Sequence, residues 1–272
     1  MDQPYYRQRL ADPDESPEAF TVLVGNRWVS SMSTLDWFKI CLADQIQADL
    51  PAIVRPIFPY QILIKQLVSG SDQYISLSAH EAFHSYQGIL APDKFAAAES
   101  VNQYADQYPR ADESLQADWQ KELDLLADAL RSSNPAQTRE RVDQFLTLRD
   151  SRRISAGLSQ ELIAYEQNRE WLEGLARYAE LEIWMQAATA HYRPISEAGR
   201  LSDFAKYGGF DRRWSTELDQ MTQMAGNEGD GRFYYTGMAQ AVLLDRLLPG
   251  WKLQAFEEGL WLEELLTDAA AK

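Results

Sequence analysis

Residues 79–87 read AHEAFHSYQ and contain the pattern H-E-x-x-H, formed by His80, Glu81 and His84. In a helix, side chains four positions apart lie on the same face, one turn from each other. His80 and His84 are therefore expected to bind one metal ion together. Glu81 lies about 100° around the helix from His80. From there its carboxylate can accept a proton from a water at the metal without being a ligand. The pattern predicts a Zn²⁺ site with Glu81 as the general base.

The surrounding residues predict where this helix begins and ends. Ile75-Ser76-Leu77-Ser78 is a short apolar run before the motif, and the sequence favours a helix over 76–88 that ends at Gly88. Ser76 is the preferred N-cap, because capping by Ser78 would give the capping-box pattern S-x-x-E and tie the Glu81 side chain to the cap amide. The alternative to a metal site is an amphipathic helix with two incidental histidines.

Composition limits the classes of function. The 272-residue chain has 45% hydrophobic residues and a net charge of −15. This length fits one large domain or two small ones with a sizeable core. The negative charge argues against nucleic acid and against anionic membrane surfaces, since both bind clustered Lys and Arg. The single cysteine excludes an intrachain disulfide.

The compartment is not determined by the sequence. No apolar run approaches the length of a transmembrane segment. The N-terminus is polar and proline-bearing and has no signal-peptide core. The chain is expected to be cytoplasmic, or extracytoplasmic with a signal or anchor removed.

The pattern along the chain predicts a mainly α protein, α+β in class, with a small β element near its start. Residues 1–19 are expected to be an extended arm, and 20–272 a single domain. The best strand signal is FTVLVGNRWVS at 20–30, where Gly25-Asn26 favours a hairpin. Helical periodicity follows in a longer set of segments. These are 34–50, 94–108, 112–132, from 135 to about 190 with a break near 151–157, 204–224, 232–248, and a final helix to 266; segment 60–68 fits a helix or a strand.

A catalytic zinc site needs a third protein ligand. The remaining histidine is His191, and the other candidates are four carboxylates on the segment YEQNREWLEGLARYAELE: Glu166, Glu170, Glu173 and Glu180. The first three of these carboxylates have the i, i+4, i+7 spacing of one helix face. The same spacing is also typical of a solvated charged stripe on the exposed side of a helix. His191 precedes Pro194 near a predicted helix end, where the helix dipole alone favours a histidine.

The segment WLEGLARY at 171–178 resembles the second motif of gluzincin metallopeptidases, the superfamily of thermolysin-like and aminopeptidase N-like enzymes. In that superfamily, the glutamate of an E-G-φ-A-x-Y/W segment on a second helix is a zinc ligand. The resemblance implies one Zn²⁺ bound by His80, His84 and Glu173, with Glu81 as general base. It also implies that Gly174 allows a close approach to the H-E-x-x-H helix.

A third segment, RFYYTGMA at 232–239, resembles the Y-x-x-G segment of the aminopeptidase N-like branch. There the tyrosine donates a hydrogen bond to the oxyanion of the tetrahedral intermediate. Tyr234 is the match by position, and Tyr235 is the alternative after a slip of one residue. A core or rim aromatic is the ordinary role for either side chain.

The chain also departs from the family pattern. Eighty-eight residues separate His84 from Glu173, so we expect 93–156 to be a helical insertion between two gluzincin-like zinc-binding helices, forming a lid or wall over the site. Nothing matches the signature with which aminopeptidases bind a free amine. Arg177 stands where thermolysin-like enzymes carry an acidic residue that orients a ligand histidine, so another residue must take that role, and Glu180 and Glu170 are the candidates.

Together these features predict a zinc-dependent hydrolase, a metallopeptidase that cleaves a peptide or protein substrate. Hydrolysis of an ester or a cell-wall amide is a variant of the same chemistry. The alternative from a different class is a weakly active or inactive metallopeptidase-like protein that binds a partner.

Overall fold

The computed structural model describes residues 20–32, 34–67, 70–189 and 191–271. Of these residues, 72% are helical, and a small two-stranded antiparallel sheet lies near the N-terminal end of the described chain. The prediction of a mainly α protein with a small β element is therefore confirmed. The predicted arm, 1–19, lies outside the described residues.

The hairpin forms where the sequence predicts it. Strands β1 (Phe20–Val24) and β2 (Arg27–Ser31) pair antiparallel through a two-residue turn. Gly25 in this turn has φ +64°, a left-handed conformation that glycine adopts without steric cost. Gly-Asn thus closes the hairpin as expected from turn chemistry.

Helices account for most of the described chain. In order they are α1 (Leu35–Asp49), α2 (Tyr60–Leu67), α3 (Ser71–Leu90), α4 (Pro92–Ser100), α5 (Glu113–Arg131), α6 (Pro135–Ser155), α7 (Gln160–Arg169), α8 (Leu175–Thr189), α9 (Phe210–Met221), α10 (Gly231–Leu247), α11 (Trp251–Gln254) and α12 (Leu262–Ala270). Short 3₁₀ turns occupy Arg55–Ile57, Val101–Gln107 and Ala198–Arg200, and a π-helical turn, Glu170–Gly174, joins α7 to α8.

The start and end of the motif helix differ from the prediction. Helix α3 begins at Ser71, so Ser76 and Ser78 are internal and bond the carbonyls of Gln73 and Tyr74. Residues 203–207 stabilise the early start. The Ser71 hydroxyl donates to Asp203 at 2.5 Å, and buried Asp72 accepts the backbone amides of Ala205 and Tyr207. Glu81 consequently lies deep inside the helix, away from its cap.

Gly88 does not end α3, which continues to Leu90. A Cβ at Gly88 would lie 2.6 Å from the Trp28 ring of β2. The glycine therefore allows the hairpin to pack against α3, and the Trp28 ring contacts Phe95 of α4 edge to face at 4.9 Å. The close packing of Trp28, and not the end of the helix, therefore explains why position 88 is a glycine.

Other boundaries follow local capping. Asp112 and Asn134 cap α5 and α6 with their side chains, and Pro135 occupies the first turn of α6. The predicted helix 94–108 instead divides into α4 and a 3₁₀ turn. The predicted helices 204–224 and 232–248 become α9 and α10, and the final helix divides into α11 and α12.

The segment 93–156 shares its core with the rest of the chain. Trp119 of α5 is fully buried and contacts Phe233 of α10 edge to face, at 5.7 Å between ring centroids. One hydrophobic cluster extends from Ala91 to Ala269. Helices α5 and α6 therefore pack as part of the main core.

A buried charge network joins α6 to the π-helical turn. Arg149 donates to both carboxylate oxygens of Glu170, at 2.6 and 2.8 Å. Arg152 donates in the same bidentate way to Glu166. Glu166 and Glu170 are 0 and 1% exposed, so the alternative of a solvated charged stripe is wrong for both. Paired guanidinium groups make the burial of these carboxylates tolerable.

The network predicts a loss of stability in acid. Burial alone would raise the pKa of Glu263, but Arg149 and Arg153 outweigh burial and lower the pKa to about 2. Because the pKa is lower in the folded state, Glu263 stabilises the fold above its ordinary pKa near 4.5, and this contribution is lost as pH falls towards 2. We expect Glu263→Gln to lower the free energy of unfolding by about 1–3 kcal/mol at pH 7.

Chemical denaturation across pH 2–7 measures this effect. The difference between wild type and Glu263→Gln should shrink as pH falls below about 4.5. Exposed Glu140 provides the matched control, and Glu140→Gln should stay close to wild type throughout. A difference for Glu263→Gln that is constant across this range would contradict the assigned role.

Candidate metal centre

The histidines of α3 face the π-helical turn. His80 and His84 are buried, at 4 and 7% exposure, and so is Glu173, at 8%. The Oε2 atom of Glu173 lies 3.2 Å from His80 Nε2 and 3.5 Å from His84 Nε2. Ligand atoms of these three residues all lie within 4.8 Å of one another. The structure thus brings together the three residues that the sequence predicts as zinc ligands.

The π-helical turn orients Glu173. A π turn closes i→i+5 hydrogen bonds and so holds an extra residue compared with an α turn. Side chains that follow the π turn are therefore rotated about the helix axis relative to the side chains that precede it. Glu166 and Glu170 point towards the arginines of α6, whereas Glu173 faces the histidines. The three carboxylates therefore do not share one face, contrary to their i, i+4, i+7 spacing.

Gly174 does not serve the contact that the resemblance implies. A Cβ at Gly174 would lie 2.4 Å from the Cα of Gly237 in α10, and a Cβ at Gly237 would lie 2.3 Å from the carbonyl oxygen of Glu170. The two glycines allow backbone contact between the π turn and α10. The close approach is thus to the helix that carries Tyr234, and not to α3.

His80 and His84 each have a hydrogen-bond partner on Nδ1, the ring nitrogen that does not face Glu173. His80 Nδ1 lies 2.8 Å from Glu180 Oε1, and His84 Nδ1 lies 2.9 Å from Gln87 Oε1. Such partners fix ring orientation and leave Nε2 available as a metal ligand. Of the two residues expected to orient a histidine, Glu180 contacts His80 and Glu170 belongs to the charge network.

Arg177, at the position where the resemblance would imply an acidic residue, donates to Glu217 of α9 at 2.5 Å. The sequence did not identify Gln87 or Arg169. Gln87 lies three positions after His84, so the same spacing that defines a helix face would have found it. Arg169 forms an ion pair with the other carboxylate oxygen of Glu173, with 3.1 Å between Nη2 and Oε1, and a second ion pair with Asp230 at 2.9 Å. One oxygen of Glu173 is thereby held by Arg169 while the other faces the histidines.

The arrangement concentrates hydrogen-bond acceptors at one point. Because Glu180 is a carboxylate, His80 Nδ1 must donate to it, so the Nε2 of a neutral His80 presents a lone pair to Glu173. A cation or a proton is needed between these groups. Burial alone would lower the pKa of His80, but hydrogen bonds with Glu173 and Glu180 outweigh it and raise the pKa to about 9. The pKa of Glu173 is held well below its usual range, since His80, His84 and Arg169 outweigh its burial.

Glu81 lies beside this cluster and outside it. Burial raises the pKa of Glu81, and the charges of His80 and His84 act against that rise. A carboxylate with a raised pKa, close to the ligands, suits a general base. Glu99 of α4 is exposed to solvent, and its carboxylate interacts electrostatically with Arg169 and His84.

The two candidate tyrosines have different surroundings. The Tyr234 ring stacks on His80, with 6.0 Å between centroids and 15° between planes. Burial, the charge of Glu173 and a hydrogen bond with Glu173 raise the pKa of Tyr234, so its hydroxyl stays protonated at neutral pH. The Tyr235 hydroxyl instead donates to Gln220 at 2.7 Å and accepts from Arg177 at 2.8 Å. Only Tyr234 of the pair contacts a residue of the cluster.

His191 lies elsewhere. It is exposed, and it borders an open apolar groove beside Ile183 and Tyr207. The clustered ligand atoms found within the described ranges belong to His80, His84 and Glu173. In the same ranges, no helix combines the length and the hydrophobicity needed to cross a membrane.

Comparison of the chain with protein families, curated proteins and solved structures finds no match. The resemblance to gluzincins consequently depends on the motif residues themselves.

Proposed function

We propose that this protein is a zinc-dependent hydrolase, with a peptide or protein as its substrate. The observation that supports the proposal most strongly is the approach of His80 Nε2, His84 Nε2 and Glu173 Oε2 to one point, with Glu180 and Gln87 on the two Nδ1 atoms. A single metal ion between these three atoms would satisfy all of them at once, whereas a proton would join only two of them.

The donor set fits zinc. Two imidazole nitrogens and one carboxylate oxygen form the His₂Glu set typical of catalytic Zn²⁺, which leaves a fourth position open. Harder ions such as Mg²⁺ and Ca²⁺ prefer all-oxygen sites. Zn²⁺ held by His80, His84 and Glu173 would supply a Lewis acid that activates water and polarises a carbonyl.

The protein's own residues divide the remaining work. The Glu81 carboxylate accepts a proton from the attacking water and delivers it to the leaving amine. The Tyr234 hydroxyl donates a hydrogen bond to the oxygen on which negative charge develops. Arg169 and Glu180 hold Glu173 and His80 in place and do not take part in proton transfer.

A peptide amide is the bond that the resemblance favours. Binding of one zinc ion without turnover is the alternative, in which the same cluster stabilises a partner-binding protein. The observation that favours catalysis is the position of Glu81. Its carboxylate is close enough to interact electrostatically with His80 and His84, and it is not hydrogen-bonded to the helix cap.

A screen of a mixed peptide library, with ester and cell-wall amide substrates beside it, tests the proposal. Zinc-loaded protein should cleave at least one class, and removal of zinc by a chelator should abolish cleavage until zinc is restored. A zinc-loaded protein that cleaves none of these substrates would contradict the hydrolase and favour the binding protein.

A further inference from the structure

Gln87 connects the two elements that carry the predicted ligands. It lies on α3 and has no exposed surface. Its Oε1 atom is 2.9 Å from His84 Nδ1, and its Nε2 atom donates to the carbonyl oxygens of Trp171 and Leu172, at 2.9 and 3.2 Å. Trp171 and Leu172 belong to the π-helical turn that presents Glu173. One amide side chain thus bonds a histidine and the turn opposite it.

These contacts determine which way the amide points. A backbone carbonyl oxygen accepts hydrogen bonds and cannot donate, so the NH₂ group of Gln87 must face Trp171 and Leu172. The Oε1 atom then faces His84. As an acceptor, it requires a proton on His84 Nδ1, which assigns the tautomer of a neutral His84. The Nε2 lone pair of His84 is directed towards Glu173 Oε2, 3.5 Å away.

We infer that Gln87 is a positioning residue for the metal centre, a role that rests on the proposed function. It holds His84 in the tautomer that can bind a metal through Nε2. It also fixes the spacing between α3 and the π turn, and hence between His84 and Glu173. Loss of a hydrogen-bonded partner of this kind typically weakens metal binding by about 10–100-fold.

Zinc affinity of Gln87→Met, measured by competition with a chelator, tests the role. Methionine has a similar length and offers neither the acceptor nor the donors. We expect zinc binding about 10–100-fold weaker than in wild type. Gln120→Met is the matched control, because Gln120 also bridges helices, donating from α5 to the carbonyl of Thr222 at 2.8 Å, and bonds no histidine. Its zinc affinity should equal that of wild type.

The tautomer is a second and independent readout. The chain has three histidines, so ¹⁵N–¹H correlation spectra of metal-free wild type can be assigned with His80→Gln and His191→Gln. Neutral His84 should carry its proton on Nδ1. A proton on Nε2 would overturn the inference even if Gln87→Met failed to fold. In folded Gln87→Met, the preference for Nδ1 should be lost, which a merely structural role would not cause.

The outcomes separate the two proposals. Zinc binding by wild type with equal affinity in Gln87→Met overturns the role of Gln87 and leaves the proposed hydrolase intact. Absence of zinc binding by wild type overturns the proposed function and with it the positioning role. Weaker binding in Gln87→Met, together with the Nδ1 tautomer in wild type, supports the role of Gln87 and the zinc centre on which the proposed function depends.

Discussion

Glu81→Gln is expected to retain zinc at the wild-type level and to lower turnover by about 10²–10⁴-fold, the usual contribution of general acid–base catalysis. Glu81 is outside the ligand cluster, so glutamine, which has the same shape, leaves the metal donors unchanged. Glutamine cannot accept a proton from the attacking water. The measurement is the rate of hydrolysis of the best substrate from the library screen, beside the zinc content of the same samples.

The zinc content of Glu81→Gln serves as the internal control, because it separates lost chemistry from a lost site. Full activity in a variant that has kept its zinc would show that another group is the base. Loss of zinc together with activity would show that Glu81 is a ligand, contrary to its place beside the cluster.

Glu173→Gln is expected to weaken zinc binding by at least about 100-fold, since the loss of a hydrogen-bonded partner alone costs about 10–100-fold. The substitution removes the negative charge that faces both Nε2 atoms, at 3.2 and 3.5 Å. It also removes the carboxylate charge of Glu173 with which the Arg169 guanidinium forms an ion pair. Chelator competition measures the affinity, and thermal unfolding of the metal-free forms reports any change in fold stability.

Glu99→Gln is the matched control for Glu173→Gln. Glu99 is an exposed carboxylate on α4 that senses the charges of His84 and Glu173, and its oxygens are not among the clustered ligand atoms. Its zinc affinity should therefore change far less. Equal affinities in wild type and Glu173→Gln would remove Glu173 from the site.

Local chemistry made much of the fold predictable. Gly25-Asn26 between two short runs with strand-forming residues defines the hairpin, and Asp112 and Pro135 mark the helix starts where they occur. The start of α3 was missed because long-range contacts stabilise it. Asp72 accepts amides from residues more than a hundred positions later, and no local pattern encodes that contact.

In the candidate site too, features with a local sequence signal were predictable and features that depend on long-range contacts were not. The spacing of His80 and His84 is a local signal, and the E-G segment pointed to Glu173. The π turn changes the faces of its carboxylates, and a sequence read with the period of an α-helix cannot predict that change. Gly174 signalled a close approach but not its partner, because a glycine does not encode which backbone comes near. The i+3 spacing from His84 places Gln87 on the same helix face, but Gln87 has no ligand chemistry of its own, so its contacts are needed to show its role.

The most direct test of the central claim is the metal content of protein purified without an affinity tag that binds metal and without chelators. The account predicts one zinc ion per chain, lost in the His80→Ala, His84→Ala double variant. Protein that contains no metal and takes up none on titration with zinc would contradict it, and the cluster of His80, His84 and Glu173 would then be a buried, protonated ion pair.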